Sequence, residues 1–506
     1  MRRTDLIRAA ISGAVAGAGA LGASELVAGI LPGAASLVVA VGDLVIALQP
    51  PGAKQFVVDL FGEADKLVLN VLIAAVAVVG AGALGVVALR RPGLAAAGFA
   101  LAGLGALLAA LRDSQAEPIP TAVGAAAAVG TALLILPRLL RWGTATQAEM
   151  PAWGRRRFIG TSLALVGVAV AGGWLGRALI DARRESAPTI GSIPQPSSTA
   201  PPLPEGVSLD VEGLSPIVTA NADFYRIDTA LLVPRPDVAT WRLRVAGMVE
   251  RPFELTYDEL TAMELHEQYV TIACVSNEVG GDLVGNAKWT GVRLVELLDR
   301  AGVEEGATQI VGRAVDGWTA GFPTAWASAP ERESLVAVLM NGEPLPPAHG
   351  YPARLIVPGL FGYVSATKWL AEIELTTLEA FDAYWVPLGW AKDGPILTQS
   401  RIDTPRQGAN IPAGSVPVAG VAWAPDRGIQ RVEVQVDETG WREAELSTPI
   451  SEATWVQFVY RWQATPGDHF IRVRATDGTG EVQTDQRTRP DPDGARGHHT
   501  IRVRVA

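Results

Sequence analysis

The sequence predicts a multi-domain chain: an N-terminal α-helical membrane bundle, an α+β domain and a C-terminal β-sandwich. Three observations predict it. Long Ala/Val/Leu/Gly runs with almost no charge fill the first 180 residues. A Pro/Ser/Thr-rich stretch follows, and from about residue 410 apolar and polar positions alternate with a period of two. The part after the apolar runs exceeds the usual size of one domain, so two are expected there. The boundaries fall at 1–184 for the anchor, 185–206 for the linker, 207–402 for the α+β domain and 403–506 for the sandwich.

Runs from about 7 to 30, 68 to 89, 93 to 111, 120 to 140 and 158 to 180 are each long enough to cross or nearly cross a bilayer. The stretch 34–48 is shorter, contains Asp43 and ends at Pro50-Pro51, so it reads equally as a re-entrant helix or a further crossing. Arginines gather at Arg2 and Arg3, at Arg90 and Arg91, and from Arg138 to Arg157, whereas the 112–119 loop holds Asp113 and Glu117. The positive-inside rule places those clusters in the cytoplasm and the C-terminal half outside it. Gly154-Arg-Arg-Arg-Phe-Ile-Gly160 before an apolar run has two readings, an internal twin-arginine export signal or three arginines anchoring a helix. All five histidines follow the last span, so no haem is expected in the anchor. Glu25 and Asp43 are ionisable groups in or near apolar segments, either functional or engaged in a helix contact. The spans carry few polar groups to line a path, which argues against a transporter.

The linker, SAPTIGSIPQPSSTAPPLPEG, has the composition of an extended, semi-rigid tether. Beyond it, strand-like WRLRVAG, QIVGRAV and ARLIVPG mix with helical VRLVELLDRAG, and turns are expected at Asn341-Gly342 and Pro358-Gly359. RVEVQV, FIRVRATD and TIRVRV carry the alternation of the sandwich, with a turn at Asp477-Gly478. A net charge of -10 argues against a nucleic-acid partner.

Cys274 is the one cysteine in 506 residues. It excludes an internal disulfide and any four-thiolate metal site. A buried thiol, a nucleophile and a one-sulfur metal ligand remain open.

The ordered segments of 210–506 resemble the sulfite oxidase family of molybdopterin enzymes. The resemblance rests on Asn221-Ala-Asp-Phe224-Tyr225-Arg226, on Cys274-Val-Ser-Asn277 followed by Trp289-Thr-Gly-Val-Arg-Leu294, and on Met340-Asn-Gly-Glu-Pro-Leu-Pro346. It continues through His349-Gly-Tyr-Pro-Ala-Arg354-Leu-Ile-Val-Pro-Gly359 and Gly362-Tyr-Val-Ser365-Ala-Thr-Lys368-Trp369, the last one residue longer than its common form. It extends to GVAWAPDRGIQRVEVQVDETGW, which is similar to the family's immunoglobulin-like dimerisation domain. The resemblance implies a molybdenum-molybdopterin cofactor with Cys274 as metal ligand. Asn221, Phe224, Tyr225, Arg226, Asn277, His349, Arg354, Gly362, Ser365 and Lys368 are implied around the pterin. Arg226, Asp316 and Trp318 are implied beside Cys274 at the reacting centre. A dithiolene supplies two sulfurs, so one protein thiolate suffices, and soft sulfur suits the metal. A positive partner must meet the cofactor's phosphate.

The implied reaction is two-electron oxygen-atom transfer on a small S- or N-containing substrate. Where animal and plant sulfite oxidases place arginines after Cys-x-x-Asn, this chain has Glu278 and Val279. A carboxylate there disfavours a dianion, so sulfite is not the expected substrate. Electrons are expected to pass through a separate partner, such as a cytochrome or a quinone-linked protein, and a homodimer is a family expectation. The competing class is a membrane-tethered scaffold or receptor that retains the fold without catalysis.

Overall fold

The computed structural model describes residues 3–49, 65–113, 116–143, 152–185, 195–327 and 333–506. The chain divides into two compact units: Met1–Ala187 with Ala230–Val233, and Pro188–Thr229 with Pro234–Ala506. Residues 186–194 of the linker and the Pro50-Pro51 pair lie outside the described residues.

The first unit holds helices α1 (Arg3–Ile30), α2 (Leu37–Leu48), α3 (Asp65–Ala88), α4 (Pro92–Ala110), α5 (Pro118–Gly143) and α6 (Ala152–Glu185). Prolines open α4 and α5, where the first turn has no use for the missing N–H. All but α2 are long and apolar enough to cross a membrane. Leu67, Val79 and Val170 point outward at 66%, 73% and 66% exposure, a pattern suited to lipid rather than water. With 12 residues α2 is about 18 Å long, short of a hydrocarbon core of about 30 Å, so of its two readings the re-entrant one fits its length. Helix α1 packs against α3, α5 and α6. Its glycines permit close approach: a side chain at Gly13 would strike the Ala81 carbonyl, and one at Gly29 the backbone of Gly176. The buried Glu25 carboxylate accepts the Ser36 hydroxyl at 2.7 Å and lies 3.8 Å from Arg177, so it ties α1 to the N-cap of α2 and to α6. Asp43 is exposed on α2, and the Gly154–Gly160 motif falls in the first turns of α6.

The second unit is sheet-rich. Its first sheet orders β2 (Phe253–Thr256), β1 (Arg242–Gly247), β10 (Leu370–Thr376), β5 (Gln309–Ala314) and β6 (Thr319–Pro323), with β1 and β10 parallel. The second orders β3 (His266–Ala273), β4 (Val284–Arg293), β7 (Leu335–Met340) and β8 (Glu343–Pro344), with β9 (Arg354–Ile356) on β7. Every residue of β7, LVAVLM, is buried, because each face of this sheet carries a core. Among the short helices, α7 (Tyr257–Thr261) begins with a Thr256/Glu259 capping box. The strongly amphipathic α8 (Leu294–Ala301) buries Leu294, Leu297, Leu298 and Ala301 and stops at Gly302, whose φ of 68° suits glycine. Helices α9 (Thr324–Ala327) and α10 (Gly362–Ser365) are single turns.

Past residue 398 the chain builds two more sheets. One orders β11 (Gln399–Thr404), β13 (Gly414–Trp423), β17 (Val456–Ala464) and β16 (Glu445–Leu446). The other orders β12 (Asn410–Ile411), β19 (His499–Val505), β18 (Gly467–Asp477), β14 (Ile429–Val436) and β15 (Arg442–Glu443). Val418, Phe458 and Trp462 from the first meet Val432, Val434, Ile471 and Val503 from the second in one core, which is why the period-two alternation reads so cleanly here. This part is stitched to the preceding sheets by buried polar bonds. The Trp455 indole donates to the Ile217 carbonyl at 2.8 Å, its backbone N–H to the Thr271 hydroxyl at 2.8 Å, and the Gln457 amide to the Ser215 carbonyl at 2.7 Å. The end of the linker is also docked, with Ser197 and Ser198 donating to the Leu265 carbonyl beside β3.

Candidate functional site

The loop after β3 and the segments around 219–228, 316–318, 347–354 and 362–368 form one neighbourhood, with Tyr225 close to both Cys274 and Arg354. Strand β3 is buried over its last four residues and delivers Cys274, 7% exposed, into the loop that follows. That loop is closed on itself. The Cys274 N–H donates to the Leu283 carbonyl at 2.9 Å, the Asn277 N–H to the Cys274 carbonyl at 3.1 Å, and the Leu283 N–H to Asn277 Oδ1 at 2.9 Å. Asn277 therefore fixes the shape of the cysteine loop through its side-chain oxygen. From the C-terminal sheets, Arg401 Nη1 donates to the Gly281 carbonyl at 2.9 Å, and the His499 ring occupies the space a side chain at Gly280 would need, where the φ of 82° also favours glycine.

The segment 219–228 covers the outer face of β4 and β7. Phe224 stacks on Tyr225 at 5.2 Å and meets Trp289 and His349 edge-on at 5.8 and 5.7 Å, while its ring fills the space left by the missing side chain of Gly285. Asn221 donates to the Met340 carbonyl at 3.2 Å and to Glu343 at 3.1 Å. Asn341, in the turn with φ 54°, donates to Asn221 Oδ1 at 2.8 Å and so orients it.

His349 and Arg354 come from the 3-10 turn Pro347–His349 and the start of β9. The Asn221 carbonyl, which can only accept, lies 3.0 Å from His349 Nε2, so that nitrogen carries the proton. Burial, then the neighbouring Arg354, brings the His349 pKa down to about 4. Arg354 is 5% exposed and lies over the Trp289 ring at 5.0 Å. Its Nη1 donates to the His349 carbonyl at 2.9 Å, while its buried Nε has no hydrogen-bond partner. Burial lowers this guanidinium to about 10. Lys368 donates to Asp228 at 2.8 Å and to the Ala348 carbonyl at 3.1 Å, and burial lowers its pKa to about 8 against the opposing pull of Asp228. Arg226 is exposed and binds the same Asp228 oxygen at 2.9 Å. Asp228 is thus shared by part-buried Lys368 and exposed Arg226.

Asp316 belongs to the same neighbourhood. The residue is open to solvent at one side, yet protein crowding and then the charge of Asp228 raise its pKa, with the Trp318 backbone N–H donating to it at 3.1 Å. Trp318 is half-buried beside it. A side chain at Gly362 would come 3.9 Å from the Tyr225 hydroxyl, so α10 also abuts the cluster. Desolvation, followed by the nearby Cys274, raises the Tyr225 phenol pKa. Ser365 differs from its implied role. It is fully buried and its hydroxyl is turned to the Phe361 and Leu360 carbonyls at 3.0 and 3.4 Å, the outcome of closing a one-turn helix in a core. Sequence reasoning missed Asp228 and the orienting role of Asn341. The former has only the Arg-x-Asp spacing as a signal, and the latter reads as an ordinary turn residue.

A molybdenum-molybdopterin cofactor fits these residues. The buried, unmet Nε of Arg354 and the excess of buried cations call for an anion such as a phosphate, and a single thiol beside them matches a metal that takes its other sulfurs from a dithiolene. The fold and the donor set together define a molybdopterin-binding oxidoreductase. The family profile described as "Oxidoreductase molybdopterin binding domain" matches residues 230–385. The chain is 32% identical over 316 residues to the mitochondrial sulfite oxidase of Mus musculus, covering 53% of this chain and 57% of that one. It is 35% identical over 158 residues to the uncharacterized oxidoreductase YuiH of Bacillus subtilis, covering 31% of this chain and 76% of that one. The sulfane dehydrogenase SoxCD of Paracoccus pantotrophus shares its fold, with a TM-score of 0.51 and 22% identity over 57% of this chain and 82% of that chain. The chain belongs to the sulfite-oxidase-type molybdopterin oxidoreductases. It spans about half the length of the curated sulfite oxidases it matches.

Proposed function

We propose that this chain is a membrane-anchored molybdenum enzyme that catalyses two-electron oxygen-atom transfer on a small, uncharged S- or N-containing substrate outside the cytoplasm. The observation that carries the reading is the cluster of basic groups, buried His349 and Arg354 with part-buried Lys368, gathered near one buried thiol and a shared carboxylate. When bound, the cofactor supplies the oxygen-atom and electron chemistry.

The chain's own residues do the rest. Cys274 gives the one thiolate, and the closed loop through Asn277 holds it in place. Arg354 and Lys368 would meet the phosphate as cations, while neutral His349, its Nε2–H given to the Asn221 carbonyl, would offer Nδ1 as an acceptor. Asn221, Phe224, Tyr225 and Gly362 shape the wall on which the pterin lies, and Ser365 supports it through the fold of α10. Asp228 holds Lys368 and Arg226 in position. Asp316, with its pKa raised by desolvation and Asp228, stands at the rim near Lys368, and Trp318 narrows the approach. Glu278 is exposed on the cysteine loop, which supports a neutral substrate such as a sulfoxide over an oxyanion.

The anchor at 1–184, the linker at 185–206, the catalytic domain at 207–402 and an immunoglobulin-like domain at 403–506 are the proposed parts. The two sheets around one core support the last of these. Apolar outward faces on five helices support the anchor, and the arginine distribution supports an outer catalytic part, exported through the Arg155–Arg157 signal. Electrons pass to or from a separate cytochrome or quinone-linked protein, and the C-terminal domain supports a homodimer. The test is molybdenum and released pterin in the purified full chain beside Cys274→Ser. Stoichiometric metal with a thiolate-to-metal absorption band absent from the folded variant supports the reading; full activity of the variant overturns it.

A further inference from the structure

We infer that Glu264, His266 and Glu296 form a second metal site, for a divalent cation of the zinc class, at the opposite end of β3 from Cys274. One ligand atom from each of the three lies within 4.8 Å of the others. His266 Nε2 is 3.5 Å from Glu296 Oε1 and 3.9 Å from Glu264 Oε1. With metal-ligand bonds near 2.1 Å, the edge of a zinc tetrahedron is about 3.4 Å, so the His266–Glu296 separation already matches and Glu264 needs only a small rotation. That rotation is available, because the Glu264 side chain is 59% exposed.

A pair of carboxylates does not make a metal site, and the imidazole is the independent sign. His266 is 8% exposed, and its Nε2 is buried and makes no hydrogen bond. A desolvated ring nitrogen directed between two carboxylates is a cost in the protein alone that a cation removes. The surrounding charge agrees. Arg293 donates to Glu296 Oε1 at 2.7 Å and stands 4.0 Å from Glu333, so three carboxylates face one guanidinium and leave a net negative site for a dication. Arg293 also sets the rotamer of Glu296, the usual task of a group behind a ligand.

The three donors come from different elements: Glu264 from the loop after α7, His266 from the first residue of β3 and Glu296 from the first turn of α8. The linker's Ser198 bridges to His266 at the same point. At about 3.3 Å per residue, β3 separates this site from Cys274 by about 26 Å, so the cation takes no part in the oxygen chemistry. Its role is to clamp the start of the catalytic sheet where the linker joins it.

The test uses the full chain in detergent, stripped of loosely bound metal with a chelator, then titrated with zinc chloride by calorimetry and with cobalt chloride by visible absorption. Wild type is expected to take one equivalent of zinc, to show ligand-field bands of low-symmetry cobalt, and to melt at a higher temperature with zinc than without. Glu264→Gln, on an exposed side chain, is expected to fold, keep its molybdenum and weaken zinc binding by at least about tenfold. His266→Gln is expected to lose the cobalt bands. Zinc uptake equal in wild type and in the folded Glu264→Gln/His266→Gln variant overturns the inference, as does no uptake by wild type, which leaves an ordinary ion pair. Molybdenum content is read in the same samples, so failure of this site and failure of the molybdenum reading are separate results.

Discussion

Replacing Arg354 by Met changes the cofactor-free and cofactor-loaded protein in different ways, and the structure sets both magnitudes. In the cofactor-free protein the guanidinium gains one charged hydrogen bond to the His349 carbonyl, worth about 1.5–3 kcal/mol, and a ring contact with Trp289 at 5.0 Å, worth about 0.5–2 kcal/mol. Against this stand its desolvation, seen in a pKa brought down to about 10, and an unmet Nε that costs about 1–3 kcal/mol. These nearly cancel, so Arg354→Met is expected to change the stability of cofactor-free protein by less than about 1 kcal/mol. Cofactor binding is a different matter. Losing a charge-assisted contact to the phosphate removes about 1.5–3 kcal/mol, a roughly 10- to 150-fold weaker complex. The assay is denaturant unfolding of protein made without cofactor, beside molybdenum retention after gel filtration of protein made with it. Destabilisation of about 3–5 kcal/mol without cofactor, together with unchanged molybdenum retention, would show that Arg354 is a structural residue.

Other outcomes follow from the same geometry. His499 accepts the Ile402 N–H at 3.0 Å, and burial and then Arg401 lower its pKa to about 4. An unfolded histidine binds its proton near pH 6.5, so the folded state is favoured above that pH and loses on the order of 2 kcal/mol as pH falls from about 6.5 toward 4; His499→Gln should flatten that part of a stability-versus-pH curve. Trp289→Ala removes a fully buried indole, its bond to the Val270 carbonyl and the ring under Arg354, and should cost about 3–5 kcal/mol in unfolding experiments. Glu278→Arg reverses an exposed charge on the cysteine loop, and should raise kcat/KM for an anionic substrate relative to a neutral one by roughly fivefold, an effect that shrinks with added salt.

The site was legible where chemistry concentrates in short motifs. Cys274, His349, Arg354 and Lys368 could be named because each falls in a short run that resembles a family motif, and Tyr225 and Arg354 then connect them in the fold. The sandwich strands were legible because their cores face one side only, so alternation survives. What escaped was pairwise and long-range. Asp228 matters because Lys368 lies 140 residues away, and the burial of the Ser365 hydroxyl in its own turn depends on α10 ending at that residue. The stretch 34–48 was ambiguous by hydropathy, and the structure adds a 12-residue helix begun by the Ser36 cap, too short by itself for a full crossing.

The cysteine loop rests on the C-terminal sheets through Arg401 on Gly281 and His499 on Gly280. Both props lie outside residues 230–385, the stretch that suffices to identify the family. In this chain the segment that names the enzyme is therefore not the segment that completes it. A fragment trimmed to residues 230–385 would keep Cys274, Asn277, His349, Arg354 and Lys368, lose the Asn221–Arg226 segment and leave the cysteine loop unsupported on one side, and a sequence change at Arg401 in β11 or His499 in β19 would reach Cys274 only through that loop.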